Sequence, residues 1–128
     1  MATVHLDNAT GFSQHIRART HELTADEPTH DGGTDTGAAP YELLLAALVA
    51  CTALTLRLYV GRKGWALGRI DIDARFSRDA DGNEQVERKI KVESTLDTAQ
   101  LARLADICEK TPVTKTLKRS LSIDTVFT

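Results

Sequence analysis

An α+β fold with the order β-β-α-β-β-α-β around one buried central helix is what the sequence predicts, on three observations. Residues 43–56 form an apolar run without a charge, residues 69–92 alternate apolar and polar about a single turn, and Leu101, Leu104, Ile107 and Cys108 recur at helical spacing. Strands and helices are only partly interleaved, which fits α+β better than a parallel α/β sheet. The 128 residues are expected to make one domain, 1–128. A chain of this length buries about two-thirds of its unfolded surface and needs no metal or disulfide to hold a core.

From the N-terminus, Val4-His5-Leu6 and residues 12–23 are predicted as two strands turning near residues 8–11. His15, Arg17 and Arg19 share one face of the second strand, with Ile16 and Ala18 on the other. Residues 24–39 have no large apolar side chain and carry Pro28, Gly32, Gly33 and Gly37, so they form a long loop. Loops of that length in a small domain tend to be functional.

Pro40 starts a helix, with Glu42 well placed for its dipole, and Gly64 ends it. This helix is apolar nearly all round, so other elements are expected to cover most of its faces. Ile70, Ile72, Ala74 and Phe76 then alternate on one strand, Asp79-Ala80-Asp81-Gly82-Asn83 turn, and Val86, Arg88, Ile90 and Val92 return on the partner. Asp97 or Thr98 caps the second helix, which Pro112 breaks. Residues 113–118 make a last short turn, and Leu121, Ile123 and Val126 suggest a closing strand.

Composition narrows the function. Hydrophobic residues at 41% and charged residues at 27% describe a soluble globular chain. Sixteen Lys and Arg against eighteen Asp and Glu leave a net charge of −2, against a nucleic-acid binder. The first residues lack the basic and apolar regions of a signal peptide, and the run 43–56 is shorter than the ~20 residues that span a bilayer. A cytoplasmic protein with no membrane partner is expected. Cysteine pairing in that compartment is transient and catalytic rather than structural.

Two cysteines are present, Cys51 inside the apolar run and Cys108 on the apolar face of the second helix. Each can be a small packing residue. Activating Cys51 would need a cation from another element, because it lies several turns from its helix start. His5, His15, His21 and His30 are scattered without zinc spacing, and the run Gly32-Gly33-Thr34-Asp35-Thr36-Gly37 lacks the Gly-Lys-Ser/Thr end of a phosphate loop. There is no Gly-x-Ser-x-Gly elbow. Trp65, beside the Gly64 stop, is expected to be a packing anchor.

Two separated blocks carry a resemblance. Ala25-Asp26-Glu27-Pro28 with Gly32-Gly33-Thr34-Asp35-Thr36-Gly37-Ala38-Ala39-Pro40-Tyr41-Glu42 and the helix through Cys51-Thr52, then Leu104-Ala105-Asp106-Ile107-Cys108-Glu109-Lys110-Thr111-Pro112-Val113, resemble the OsmC/Ohr family. The resemblance implies an OsmC-like fold in an intertwined homodimer with sites at the dimer interface. It implies a thiol-dependent peroxidase that reduces organic hydroperoxides in oxidative-stress defence, without a cofactor, and is itself reduced by an external dithiol such as a lipoyl group. Cys51 falls on the reactive position. Cys108 is the candidate resolving thiol, although the family's resolving cysteine directly precedes Pro-Val, where this chain has Thr111. An Arg stabilises the thiolate, here Arg17 or Arg19 with Arg19 preferred. A Glu holds the Arg; Glu42 lies one residue beyond the family position, which is Tyr41.

These departures keep a second class open: a non-peroxidatic OsmC-like dimer that binds a small molecule, or a single-cysteine thiol enzyme.

Overall fold

The computed structural model describes residues 1–128 and divides into two compact units, Met1–Leu44 and Leu45–Thr128. In the first, strands β1 (His5–Asp7), β2 (Gln14–Ala18) and β3 (His21–Ala25) form an antiparallel sheet in that order. Leu6 pairs with Ile16 and Ile16 with Leu23, so apolar side chains line up across the sheet.

The single strand expected over residues 12–23 is in fact two. The chain reverses at Arg19 and Thr20, with Ala18 paired to His21. Arg19 adopts φ 56°, the left-handed region that glycine or asparagine usually fills. An Arg-Thr turn carries none of the usual hairpin signals, and its alternation simply continues through it.

The loop after β3 is ordered by one carboxylate. Buried Asp26 accepts hydrogen bonds from Thr36 Oγ1 (2.6 Å), Thr36 N (3.1 Å), Glu27 N (2.7 Å), Thr34 Oγ1 (2.8 Å) and Thr34 N (3.3 Å). Asp26 N donates to Ala38 O at 3.1 Å and closes the loop. Gly33 and Gly37 are there for close approach: a Cβ on either would sit 2.1 Å from a backbone oxygen, Glu27 O or Thr24 O. The run of glycines therefore folds the loop onto the end of β3.

The Thr36 hydroxyl and amide, followed by the other donors, hold the Asp26 carboxyl well below the usual carboxylate range. A depressed folded-state value means the stabilisation is complete above the ordinary pKa of about 3.9 and fades only as pH falls below it. Protection of the Thr34 and Thr36 amides, taken relative to their intrinsic exchange at each pH, should therefore hold from neutral pH to about pH 4 and fall in stronger acid. Asp26→Ala, which removes the oxygen that both amides share, should make both exchange fast already at pH 7.

Helix α1, Pro40–Lys63, begins in the first unit and continues in the second. Its start is capped from within: Glu42 Oε1 accepts Ala39 N–H at 2.8 Å, one arm of a capping box beside Pro40. Leu48, Thr52, Leu56 and Val60 form its buried stripe, while Leu54 and Leu58 on the other side are exposed. The single chain covers one stripe of this helix, since a spacing of four residues presents only one side to the core. With 24 residues, α1 is the one helix long and apolar enough to cross a membrane by length and composition.

In the second unit, β4 (Leu67–Arg78) and β5 (Glu84–Ser94) form the expected hairpin, with Ile70, Ile72, Ala74 and Phe76 opposite Val92, Ile90, Arg88 and Val86. Asp79 ties its turn, accepting from the amides of Asp81 and Asn83 at 2.9 Å each. Helix α2 (Thr98–Cys108) opens with a capping box in which Asp97 and Gln100 bond each other's backbone N–H. Helix α3 (Pro112–Leu117) follows, capped by Thr111 with Pro112 at its first position.

Leu56, Val60, Leu104 and Cys108 form the core, with Trp65 packed beside it, edge-on to Tyr59 at 5.5 Å. The closing strand predicted from Leu121, Ile123 and Val126 is absent: residues 118–128 contain no strand, and these three side chains are exposed. Strand-like alternation makes a strand only where a sheet edge receives it.

Candidate active site

Cys51 lies mid-way along α1 as a half-buried free thiol. At about 100° per residue it stands about 120° round the helix from the middle of the buried stripe, on the side of exposed Leu54 and Leu58. Its carbonyl accepts from Thr55 Oγ1 at 2.7 Å.

The next residue faces inward. Thr52, fully buried, donates from its hydroxyl to Leu48 O (2.7 Å) and accepts from Arg88 Nη1 (2.8 Å). Arg88 comes from β5, and only 11% of its side chain is exposed. Its Nη1 also donates to Thr114 Oγ1 (3.0 Å), and its Nη2 donates to Cys108 O (2.9 Å) with Glu109 Oε1 at 3.5 Å. One guanidinium thereby joins α1, β5, the end of α2 and α3.

Cys108 is the last residue of α2 and is buried in the core with Leu56 and Val60. Burial pushes its thiol pKa up; the Arg88 charge opposes that shift and Glu109 adds to it. A hydrogen bond from Lys118 first, and then the Arg88 charge, hold the Glu109 carboxyl below the usual range. Thr111 is fully buried, its hydroxyl 2.6 Å from that of Thr114 and accepting Thr114 N–H at 3.3 Å. It caps α3 through the same cluster that receives Arg88.

The four residues singled out from the sequence are therefore distributed. Arg19, at the β2–β3 turn, and Glu42, at the α1 start, belong to the first unit; Cys51 and Cys108 belong to the second. Arg88, Thr52 and Thr114 went unnoticed. The signal for Arg88 was an arginine between Val86 and Ile90 on the inward face of an alternating strand, which is an expensive place for a charge unless partners wait there. No three His, Cys, Asp or Glu side chains are gathered as a metal ion would need. An open cleft of about 720 Å³ lies along the C-terminal half of α1, lined by Arg57, Trp65, Leu67 and Glu93, and neither cysteine borders it.

Fold and site define an α+β protein with one thiol on each of two helices. The OsmC-like protein family model matches residues 33–126, and the chain belongs to that family. Solved structures agree on the fold. A protein of Psychrobacter arcticus is 17% identical and superposes with a TM-score of 0.79 over 91% of this chain and 88% of its own. An OsmC-like protein of Mycoplasma pneumoniae gives 21% and 0.75 over 92% and 86%. The organic hydroperoxide resistance protein OhrB of Bacillus subtilis gives 21% and 0.63 over 92% and 90%. No curated protein has a significant sequence match.

Proposed function

We propose that the protein is a thiol-dependent peroxidase that reduces organic hydroperoxides with Cys51 as the attacking thiol, in a homodimer. The observation that carries this reading is the placement of Cys51: a half-buried thiol on the open, apolar side of α1, in a chain whose family includes proteins named for organic hydroperoxide resistance. A Cys51 thiolate attacks the peroxide oxygen, the O–O bond breaks, and with one proton the alkoxide leaves as alcohol; Cys51 is oxidised to the sulfenic acid. An external dithiol supplies the two electrons that return it to the thiol, releasing water and ending as its own disulfide.

Leu54 and Leu58 on α1, and Leu121, Ile123, Val126 and Phe127 in the tail, are exposed in the single chain. Apolar surface on this scale supports a second copy as its cover. An apolar wall beside Cys51 also suits the alkyl or aryl part of an organic hydroperoxide better than it suits hydrogen peroxide.

Steady-state consumption of tert-butyl hydroperoxide and cumene hydroperoxide with dithiothreitol tests the reading. The wild type should turn over both, with cumene hydroperoxide the better substrate, and Cys51→Ser should fall at least 100-fold, to the rate of the reductant alone. Wild-type turnover that survives in Cys51→Ser would end it.

A further inference from the structure

We infer that Cys108 takes no part in the redox cycle, and that the sulfenate formed on Cys51 is attacked directly by the thiol of the external reductant. The inference rests on the peroxidase reading of Cys51 and names the reaction partner of its oxidised form.

Three observations converge on it. Cys108 belongs to the core cluster with Leu56 and Val60, which stand about 140° and 180° round α1 from Cys51 and about 7.5 and 13.5 Å further along its axis. A disulfide requires Cα atoms roughly 4.4–6.8 Å apart with their Cβ atoms turned toward each other. Secondly, the Arg88 guanidinium stands between the two helices at this level. It bonds Thr52, the neighbour of Cys51, through Nη1 and the Cys108 carbonyl through Nη2, while Thr114 Oγ1 lies 3.4 Å from the same carbonyl. Bringing the Cys108 backbone to Cys51 would break these bonds and leave a buried cation without its acceptors. Thirdly, Thr111, which occupies the position directly before Pro-Val, caps α3 with a hydroxyl and has no thiol to offer.

The chemistry balances without a second protein thiol. Cys51–SOH and one thiol of a dithiol form a mixed disulfide and release water. The second thiol of the same dithiol then attacks that bond, releasing Cys51–SH and the cyclic disulfide. Cys51 is the less buried of the two thiols and so the more accessible to an external reductant, whereas burial makes Cys108 a poor nucleophile.

The test uses the reduced full-length protein and one equivalent of cumene hydroperoxide, followed by dimedone and, after denaturation, iodoacetamide and peptide mass mapping. Dimedone should be found on Cys51 and carbamidomethyl on Cys108. Turnover with dithiothreitol should be within twofold of wild type in Cys108→Ala, and also in Cys108→Val, which keeps more of the core volume.

A peptide pair linked Cys51–Cys108 would overturn the inference while leaving the peroxidase reading intact. So would a tenfold loss of turnover in both Cys108 variants with native circular dichroism. A Cys51 that stays reduced would instead sink the peroxidase reading and this inference with it. Diamide gives a peroxide-independent check: a Cys51–Cys108 link formed in the folded protein would contradict the geometry by itself.

Discussion

Replacing Arg88 by Met should lower the stability of the protein by about 3 kcal/mol, among the largest effects expected for a single side chain here. The change removes the donor that Thr52, Thr114 and the Cys108 carbonyl share, leaving these buried oxygens only their weaker local bonds to Leu48 O, Thr111 Oγ1 and Thr114 Oγ1. Arg88→Lys should recover only part of the loss. An ammonium keeps the charge, but it cannot place two nitrogens at once on α1 and on the end of α2. Urea denaturation of the three proteins checks this. Equal midpoints for wild type and Arg88→Met would mean that the guanidinium holds nothing together.

The second large effect is expected at Gly37. A Cβ there would lie 2.1 Å from Thr24 O and 2.6 Å from Thr24 C, both backbone atoms that cannot rotate away. Gly37→Ala should therefore displace the loop from β3 and cost about 3 kcal/mol or more. Gly61→Ala is the internal control. Gly61 lies inside α1 with nothing within 4 Å of an added Cβ, so alanine there should stabilise by about 0.5–1 kcal/mol. Thermal melts of the two variants should move in opposite directions. A Gly37→Ala protein as stable as wild type would show that the loop has room the structure denies it.

Much of the architecture was legible in the sequence because the signals were local. Asp97 and Pro112 mark helix starts by chemistry that acts over one turn, and the β4–β5 hairpin follows from alternation about an Asp-Gly-Asn turn. Three features were not legible, each for a physical reason. The reversal at Arg19 and Thr20 uses a left-handed arginine, and strand alternation carries on through it unbroken. The alternation of Leu121 and Ile123 is real, but a strand requires an edge to pair with, and alternation alone does not supply one. The apolar character of α1 does not reveal whether its cover comes from the same chain; here that chain covers one stripe.

The site was legible to a lesser degree. Cys51 and Cys108 were found because thiols are rare and chemically distinct. The residue that organises the space between their helices, Arg88, was hidden by its strand, where its neighbours Val86, Ile90 and Val92 suggest only a core face. Glu42 illustrates a different limit. Its sequence position suits both a functional carboxylate and a helix cap, and only the 2.8 Å bond from Ala39 N–H reveals that one of its oxygens is committed to the cap.

The most direct test of the central claim is a single-turnover experiment on the reduced protein, without added thiol. Mixed with one equivalent of cumene hydroperoxide and quenched over seconds to minutes, the wild type should release close to one equivalent of cumyl alcohol as the Cys51 thiol disappears at the same rate. Cys51→Ser should release none above background. Alcohol formed at equal rates by both proteins, or loss of the hydroperoxide while Cys51 stays reduced, would contradict the assignment of Cys51 as the attacking thiol.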